Sequence, residues 1–368
     1  MLMIDVAHSS SVDSQAWNRR VVQVEQGGFR QTTWYGDFKA QWREEALYFI
    51  ARDNEGRIVG QLLTICGSPW GWALERRPLA SVTQPLAKWL APRIYWHEGP
   101  LVFCAEGADE VRRALLQAVA AEALGRRCLF VDGQSSHFES NPETRAAFGP
   151  LARGLGWSVE QRSTLAIDFS EDLETLWSNV RKEARTKVRK ASKQDIEIAP
   201  VDGDGQQLKR AHSIVVESAV RNGVAPLPFA DFCHSHNYHH EVGVEHSYIS
   251  LHEGVPLSFQ KVVCYNGNAL LGGVAYSDYS RDRRLYGNDL MQWHIVEEGK
   301  EAGWRWLDFG GAEPESADPK MQGIYRFKAK WGGKLINGDR LQLTMAAAER
   351  LQRLIPKKLH HLVLGGKA

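Results

Sequence analysis

The chain has 368 residues, enough for two domains or one large one, and for a sizeable core without disulfides or metals. Its 45 Lys and Arg against 44 Asp and Glu leave a net charge of +1, which excludes a protein that is basic over its whole surface. With 43% hydrophobic and 24% charged residues it is neither low-complexity, collagen nor a coiled-coil rod; the one odd count is 13 Trp, suited to packing or to stacking a flat ligand.

No stretch approaches 18 uninterrupted apolar residues, and the start (MLMIDVAHSS, with Asp5 early) lacks the basic and apolar regions of a secretory signal. The five cysteines (Cys66, Cys104, Cys128, Cys233, Cys264) are scattered, with no C-x-x-C. They read as reduced, mostly buried residues of a cytoplasmic protein.

Taken in order, residues 47–52 and 58–65 are short apolar runs around Asn54-Glu55-Gly56, a hairpin pattern. Residues 109–124 open with acids and close at Gly125, which predicts an amphipathic helix. RCLFVDG (127–133) predicts a buried strand ending in an acid. A second hairpin pattern covers 248–252 and 255–264 around Glu253-Gly254. A strand (269–276), a helix (288–303) and an acid-ended strand (305–308) follow, as in the first half. The recurrence predicts a duplicated α/β (α+β) unit, residues 1–165 and 166–340, with 341–368 packing back on the first.

Between the halves, Ser170, Glu171, Asp172 and Glu174 make an acidic helix start. Leu173, Leu176, Trp177, Val180, Ala184, Val188 and Ala191 step at helical spacing, so one basic helix is expected over 172–193. Seven basic residues lie in 180–193 against Glu183 alone, which is 7 − 1 = +6, leaving about −5 for the rest of the chain. A solvated face is the ordinary reading of such a run. Here Arg181, Arg185 and Arg189 repeat at spacing four, which weakens a free helix by tenths of a kcal/mol, roughly, without local compensation. That cost suggests a polyanion, such as RNA phosphates or a diphosphate.

Two segments, LWSNVRKEARTKVRKASKQDIEI (176–198) and GWRWLDFGGAEPESADPKMQGIYRFKAKWGGKL (303–335), together resemble the Fem-type peptidyltransferases. Those enzymes use aminoacyl-tRNA to add amino acids to peptidoglycan precursors and are built from two GNAT-like subdomains. QTTWYGDFK (31–39), YWHEGPLV (95–102) and CLFVDG (128–133) are similar to further family segments in the same order. No sustained heptads occur, so the chain resembles the members without a coiled-coil arm.

The resemblance implies two tandem GNAT-like subdomains and an aminoacyltransferase forming a peptide bond. It implies aminoacyl-tRNA as co-substrate, an amine acceptor (peptidoglycan precursor or small peptide or natural product) and no cofactor; a cytoplasmic monomer is expected. By position, Lys328 and Phe327 match the family's catalytically implicated Phe-Lys pair. Lys328 would meet the developing charge and the terminal phosphate; Phe327 would pack on the terminal adenosine or shape the acyl channel. Asp132 matches an acid near the acceptor, and Lys39 a lysine on the acceptor's diphosphate. Tyr325 and Arg326 would bind substrate; Arg181, Lys182, Arg185, Arg189 and Lys190 would bind tRNA.

Each has a plainer reading. Lys328 could be a surface lysine on a strand beside a Gly-Gly turn, Asp132 a cap or turn former, and Lys39 an exposed helix lysine. Asp308 is expected to satisfy amides at Gly310-Gly311, and Trp34 and Trp42 to be core. Leu227 and His97-Glu98 stand where peptidoglycan-type members carry positive charge, which weakens that acceptor. Cys233, His234, His236, His239, His240 and His246 lack a second clean ligand pair, so structural or surface histidines are expected, with no metal. An acyl-CoA N-acyltransferase is the alternative, although Arg284-Leu-Tyr-Gly287-Asn-Asp fails the phosphate-loop pattern at its last position. A non-catalytic RNA-binding protein of the same fold is a further alternative.

Overall fold

A computed structural model describes residues 3–68, 87–89, 91–139, 141–203 and 205–345. The expected packing of 341–368 lies outside these residues beyond Met345. The described residues divide into two compact units, those up to Arg162 together with Asn337–Met345, and those of Ser163–Ile336.

Unit 1 begins with β1 (Asp5–Ser9), α1 (Ser14–Val21) and α2 (Thr33–Gln41). The expected hairpin is β2 (Glu45–Arg52) and β3 (Ile58–Gly67), paired antiparallel around a turn with Gly56 at φ +77°. Short strands β4 (Arg93–Tyr95) and β5 (Leu101–Val102) both pair with β3. Then come α3 (Ala108–Gly125), β6 (Phe130–Gln134) and α4 (Pro142–Gly154). The sheet order is β1-β2-β3-β4-β6, and β13 (Lys334–Thr344) adds its Arg340–Thr344 stretch beside β6. β4 and β6 run parallel. The apolar stripe of α3 (Val111, Leu115, Leu116, Val119) is fully buried against Phe49, Leu62, Ile94 and Val131 of the sheet.

Unit 2 is entered within β7 (Ser158–Asp168). It continues through α5 (Leu173–Asn179), α6 (Lys182–Ala191), β8 (Ile196–Pro200), α7 (Gly205–Arg221) and α8 (Phe229–Glu241). The second hairpin is β9 (Glu245–His252) and β10 (Val255–Tyr265). After it come β11 (Asn268–Tyr276), α9 (Asp278–Asp282), α10 (Gly287–Glu301), β12 (Trp306–Ala312) and α11 (Pro319–Ala329). The order is β7-β12-β11-β10-β9-β8, with β11 and β12 parallel. Each unit thus carries an antiparallel hairpin, a strand, a helix and a parallel strand, so the mixed α/β, duplicated fold read from the sequence is the fold observed.

Two expectations differ. The basic segment is two helices, because Val180 and Arg181 are extended (ψ 132° and 142°) between α5 and α6. Val180 is buried in the unit 2 core while the Arg181 N–H donates to the Lys330 carbonyl at 2.8 Å. A bond outside the helix replaces the one inside it. Arg181 therefore caps α6 rather than continuing a line with Arg185 and Arg189. The segment around Lys328 is helix α11, not strand. In 219–232, α7 runs to Arg221 and α8 starts at Phe229. Leu227 packs against the buried cluster of Leu208, Ile214, Phe232 and Phe259, and its carbonyl accepts from His212 Nε2 at 2.7 Å.

Trp17, Trp96, Trp157, Trp293, Trp304 and Trp331 are buried, so packing accounts for much of the Trp count. Trp17, Trp96 and Trp293 place their indole N–H on Gln31 O (2.7 Å), Gly99 O (3.0 Å) and Glu297 Oε1 (2.7 Å). Trp34 and Trp42, expected as core, are only partly buried.

Candidate active site

In unit 2, Asp308 near the middle of β12 faces Thr164, whose hydroxyl donates to its carboxylate. The same oxygen accepts the Gly310 N–H at 2.7 Å, with Gly310 at φ +75°. Asp308 thus shapes the Gly-Gly turn, as its sequence context suggested. From α11, Lys328 reaches this turn and donates to the Gly311 carbonyl at 2.7 Å. Burial pulls the Lys328 ammonium below its ordinary value, and Asp308 offsets part of that. A half-desolvated cation fixed at a turn is a suitable group for a developing negative charge.

The rest of α11 is set by one buried ion pair. Lys330 Nζ meets Asp289 Oδ1 at 2.5 Å, with both side chains about nine-tenths buried. The same ammonium lies 4.6 Å from the Phe327 ring centroid and 5.0 Å from that of Trp331. Tyr325 packs on the unit 2 core, and Arg326 is exposed, with no ion pair among the described residues.

Just beyond α11, Gly332 sits at φ +79°, where an added Cβ would lie 2.7 Å from the backbone of Asn179. With the Arg181–Lys330 bond, this close approach fastens the start of α6 to the end of α11. Gly332→Ala therefore combines a left-handed alanine with a backbone clash. Denaturant unfolding is expected to show a loss of about 1–3 kcal/mol.

On α6, Ala184, Val188 and Ala191 face the core, and the basic residues flank that stripe on both sides. On one flank Arg189 lies over the Trp177 ring (5.5 Å), which meets Trp293 at 4.5 Å, and Arg185 Nη1 reaches the Ser178 carbonyl (3.5 Å). On the other, Lys187 lies over Tyr286 at 5.9 Å. Gln194 donates to the Arg284 carbonyl (3.2 Å) and accepts from the Tyr286 N–H (3.3 Å). The exposed run Arg281-Asp282-Arg283-Arg284 is thereby held beside α6. Arg283 and Arg284 extend the basic surface and were not among the sequence-predicted tRNA residues; the RDRR run was the signal. Lys182 and Lys190 are exposed.

In unit 1, Tyr95 and Asp132 are neighbours across the parallel pair β4–β6. The Tyr95 hydroxyl donates to Glu44 Oε2 (2.8 Å), which also pairs with Lys39 (2.5 Å). Lys39 is thus half-buried and ion-paired, not an exposed helix lysine. Burial pushes the Asp132 carboxyl up, and Arg340 at 3.4 Å offsets part of the shift. Asp132 also accepts from Gln342 (3.3 Å), so it is neither cap nor turn former. The structure gathers Lys39, Glu44, Tyr95 and Asp132 in unit 1, and Lys328, Phe327 and the basic helix in unit 2.

Gln31 is fully buried and ties Leu63 and His97 of unit 1 together, a structural role. His97 is held neutral, pushed down to about 3 by burial and by Arg30. Glu98 pairs with Arg30 at 3.6 Å. In unit 2, Glu245 contacts His236 and Lys261 inside the core; burial alone would raise its carboxyl, but these partners hold it lowered. His236 and His239 are buried, so these two histidines of the 233–246 run pack a core. Among the described residues no cluster of His, Cys, Asp and Glu is arranged for a metal ion, and no helix is long and apolar enough to cross a membrane.

Residues 178–328 match the family described as Acetyltransferase (GNAT) domain. No curated protein matches the chain by sequence. Among solved structures, FemX is similar with a TM-score of 0.73 at 16% identity, covering 95% of this chain and 99% of that one. A tandem GNAT protein from the clavulanic acid biosynthesis pathway has a TM-score of 0.54 at 13% identity, covering 93% and 98%. A conserved protein of unknown function from Bacteroides thetaiotaomicron has a TM-score of 0.53 at 10% identity, covering 92% and 100%. The chain therefore has the fold of FemX, similar also to that of a tandem GNAT protein, and with the GNAT match over residues 178–328 this supports an acyltransferase.

Proposed function

Starting from an acyltransferase with the fold of FemX, we propose that the chain moves an amino acid from aminoacyl-tRNA to an amine, forming a peptide bond. The observation that carries this reading is the fastening of the basic helix α6 to α11, the helix of Lys328, through Arg181, Lys330 and Gly332. One end of the unit offers phosphate-binding charge and an adjoining cation suited to an acyl-transfer oxyanion.

The aminoacyl ester is already activated. An acceptor amine attacks its carbonyl, a tetrahedral oxyanion forms, and the ribose hydroxyl leaves with a proton from the amine. Lys328 would meet the oxyanion from its place at Gly311. Asp132, with its raised carboxyl on the face shared with Tyr95, is assigned to the acceptor amine, and Lys39 to an acidic part of the acceptor. Tyr325 and Arg326 would bind substrate. Arg185, Arg189 and Lys190, with Arg283 and Arg284, would hold tRNA phosphates. The acceptor is a peptidoglycan precursor peptide or a small peptide or natural product, and the pool of charged tRNA places the reaction in the cytoplasm.

The acyl-CoA alternative needs a diphosphate at the start of α10, after β11. There Asp289 occupies the first turn, buried and paired with Lys330. That helix start already holds its own carboxylate, which leaves its first turn filled.

Replacing Arg185, Arg189 and Lys190 together with alanine is expected to weaken tRNA binding and to reduce the slope of log affinity against log salt by about 2–3. Filter binding at several salt concentrations measures it. An unchanged affinity and slope would remove α6 from the RNA interface.

A further inference from the structure

Unit 1 holds a small pocket, open to solvent, which the proposed transfer does not use. It lies just past the carboxyl ends of the parallel strands β4 and β6. The Gly99 N–H still bonds the Gln134 carbonyl at 3.2 Å, and beyond that point the chains part. Gly99-Pro100 forms one wall and Ser135 and Ser136 the other. Such a crevice is where open α/β sheets place ligands.

The polar lining favours an oxyanion. Arg112 of α3 and Arg145 of α4 both border the cavity, with the hydroxyl residues Ser135, Ser136 and Thr144. Arg112 is buried and held by Asp109 (3.1 Å) and Glu139 (3.9 Å). Arg145 has no ion pair, and neither its guanidinium nor the Thr144 hydroxyl has a hydrogen-bond partner among the described residues. Glu139 also borders the cavity, but its carboxylate is engaged by Arg112, by Gln26 Nε2 (3.2 Å) and by the Asn141 N–H (3.3 Å). Thr144 and Arg145 stand in the first turn of α4, whose amides are already capped by Asn141, so the anion preference rests on the side chains. Phe148 supplies an apolar floor.

The site is separate from the acceptor face. Side chains alternate along β6: Val131 enters the core beneath α3, while Asp132 turns to Arg340 and Gln342 of β13. We propose that this crevice binds the phosphate group of a small phosphorylated molecule, with Arg145 as its principal ligand and Thr144 as a hydroxyl partner. This inference does not depend on the donor being aminoacyl-tRNA.

Calorimetric titration of the full chain with inorganic phosphate, pyrophosphate and succinate tests it. Saturable binding of phosphate or pyrophosphate is expected. Arg145→Ala should weaken it by about tenfold or more, with Thr144→Val showing a smaller loss. Both variants should keep the parent thermal transition. The Arg185, Arg189 and Lys190 triple variant should bind phosphate as the parent does, which separates this site from the basic helix. Absence of saturable phosphate binding, binding unchanged by Arg145→Ala, binding lost in the triple variant, or uptake of succinate alone would each overturn the proposal.

Discussion

Lys328→Ala is expected to lower kcat for aminoacyl transfer by about 10²–10³-fold, the range for removing one preorganised donor to an oxyanion. Its fold should persist, because Lys328 makes a single bond to the Gly311 carbonyl, next to a turn that Asp308 already holds. The affinity for charged tRNA should change little, since the phosphate-binding charge lies on α6. A pH profile adds a second readout. Burial lowers the Lys328 ammonium, so the cation is lost at a pH below the ordinary lysine value of 10.5 as pH rises. Activity should fall on that alkaline limb, and Lys328→Arg should shift the limb upward. Parent turnover in Lys328→Ala would remove the residue from the chemistry.

The second large effect concerns stability. Asp289→Ala leaves Lys330 buried and charged without its partner, and breaking such a pair costs about 3–5 kcal/mol. Urea unfolding should show that loss. Replacing both partners with apolar residues, Asp289→Leu with Lys330→Met, should recover much of it, because the desolvation penalty disappears with the charges. The single variant should also weaken tRNA binding, since the Lys330 carbonyl holds the Arg181 N–H at the start of α6. A single variant as stable as the parent would show that this pair does not anchor α11.

Much of the fold was legible because its signals are local. Each hairpin is two apolar runs around a turn with a glycine, and α3 and α10 carry clear start and stop residues. The Asp308 turn was legible for the same reason, since its partner Gly310 is two residues away. The break in the basic helix was not. Val180 continues the apolar stripe of α5 and α6, and the bond that interrupts it comes from Lys330. Helix α11 was misread because RFKAKW alternates with period two and the helix buries no residue fully, leaving no helical stripe to detect. The Asp289–Lys330 pair joins residues 41 apart in sequence, and nothing local announces it.

Candidate site residues divide along the same line. The charge on α6 is a compositional signal, whereas its attachment to the helix of Lys328 is a tertiary one. For Lys39 the plainer alternative of an exposed lysine stayed open in the sequence because Glu44 and Tyr95 meet it only after α2, β2 and β4 assemble. The basic extension at Arg283 and Arg284 was visible as a run, but only the Gln194 contacts place it beside α6.

The most direct test of the account supplies the full chain with tRNAs charged with labelled amino acids, and in parallel with acyl-CoA, each against amine acceptors. Mass spectrometry then follows the acyl group. Label is expected in an amide product from charged tRNA, abolished by prior ribonuclease treatment and strongly reduced in Lys328→Ala. Transfer from acyl-CoA with no label leaving charged tRNA would contradict the account.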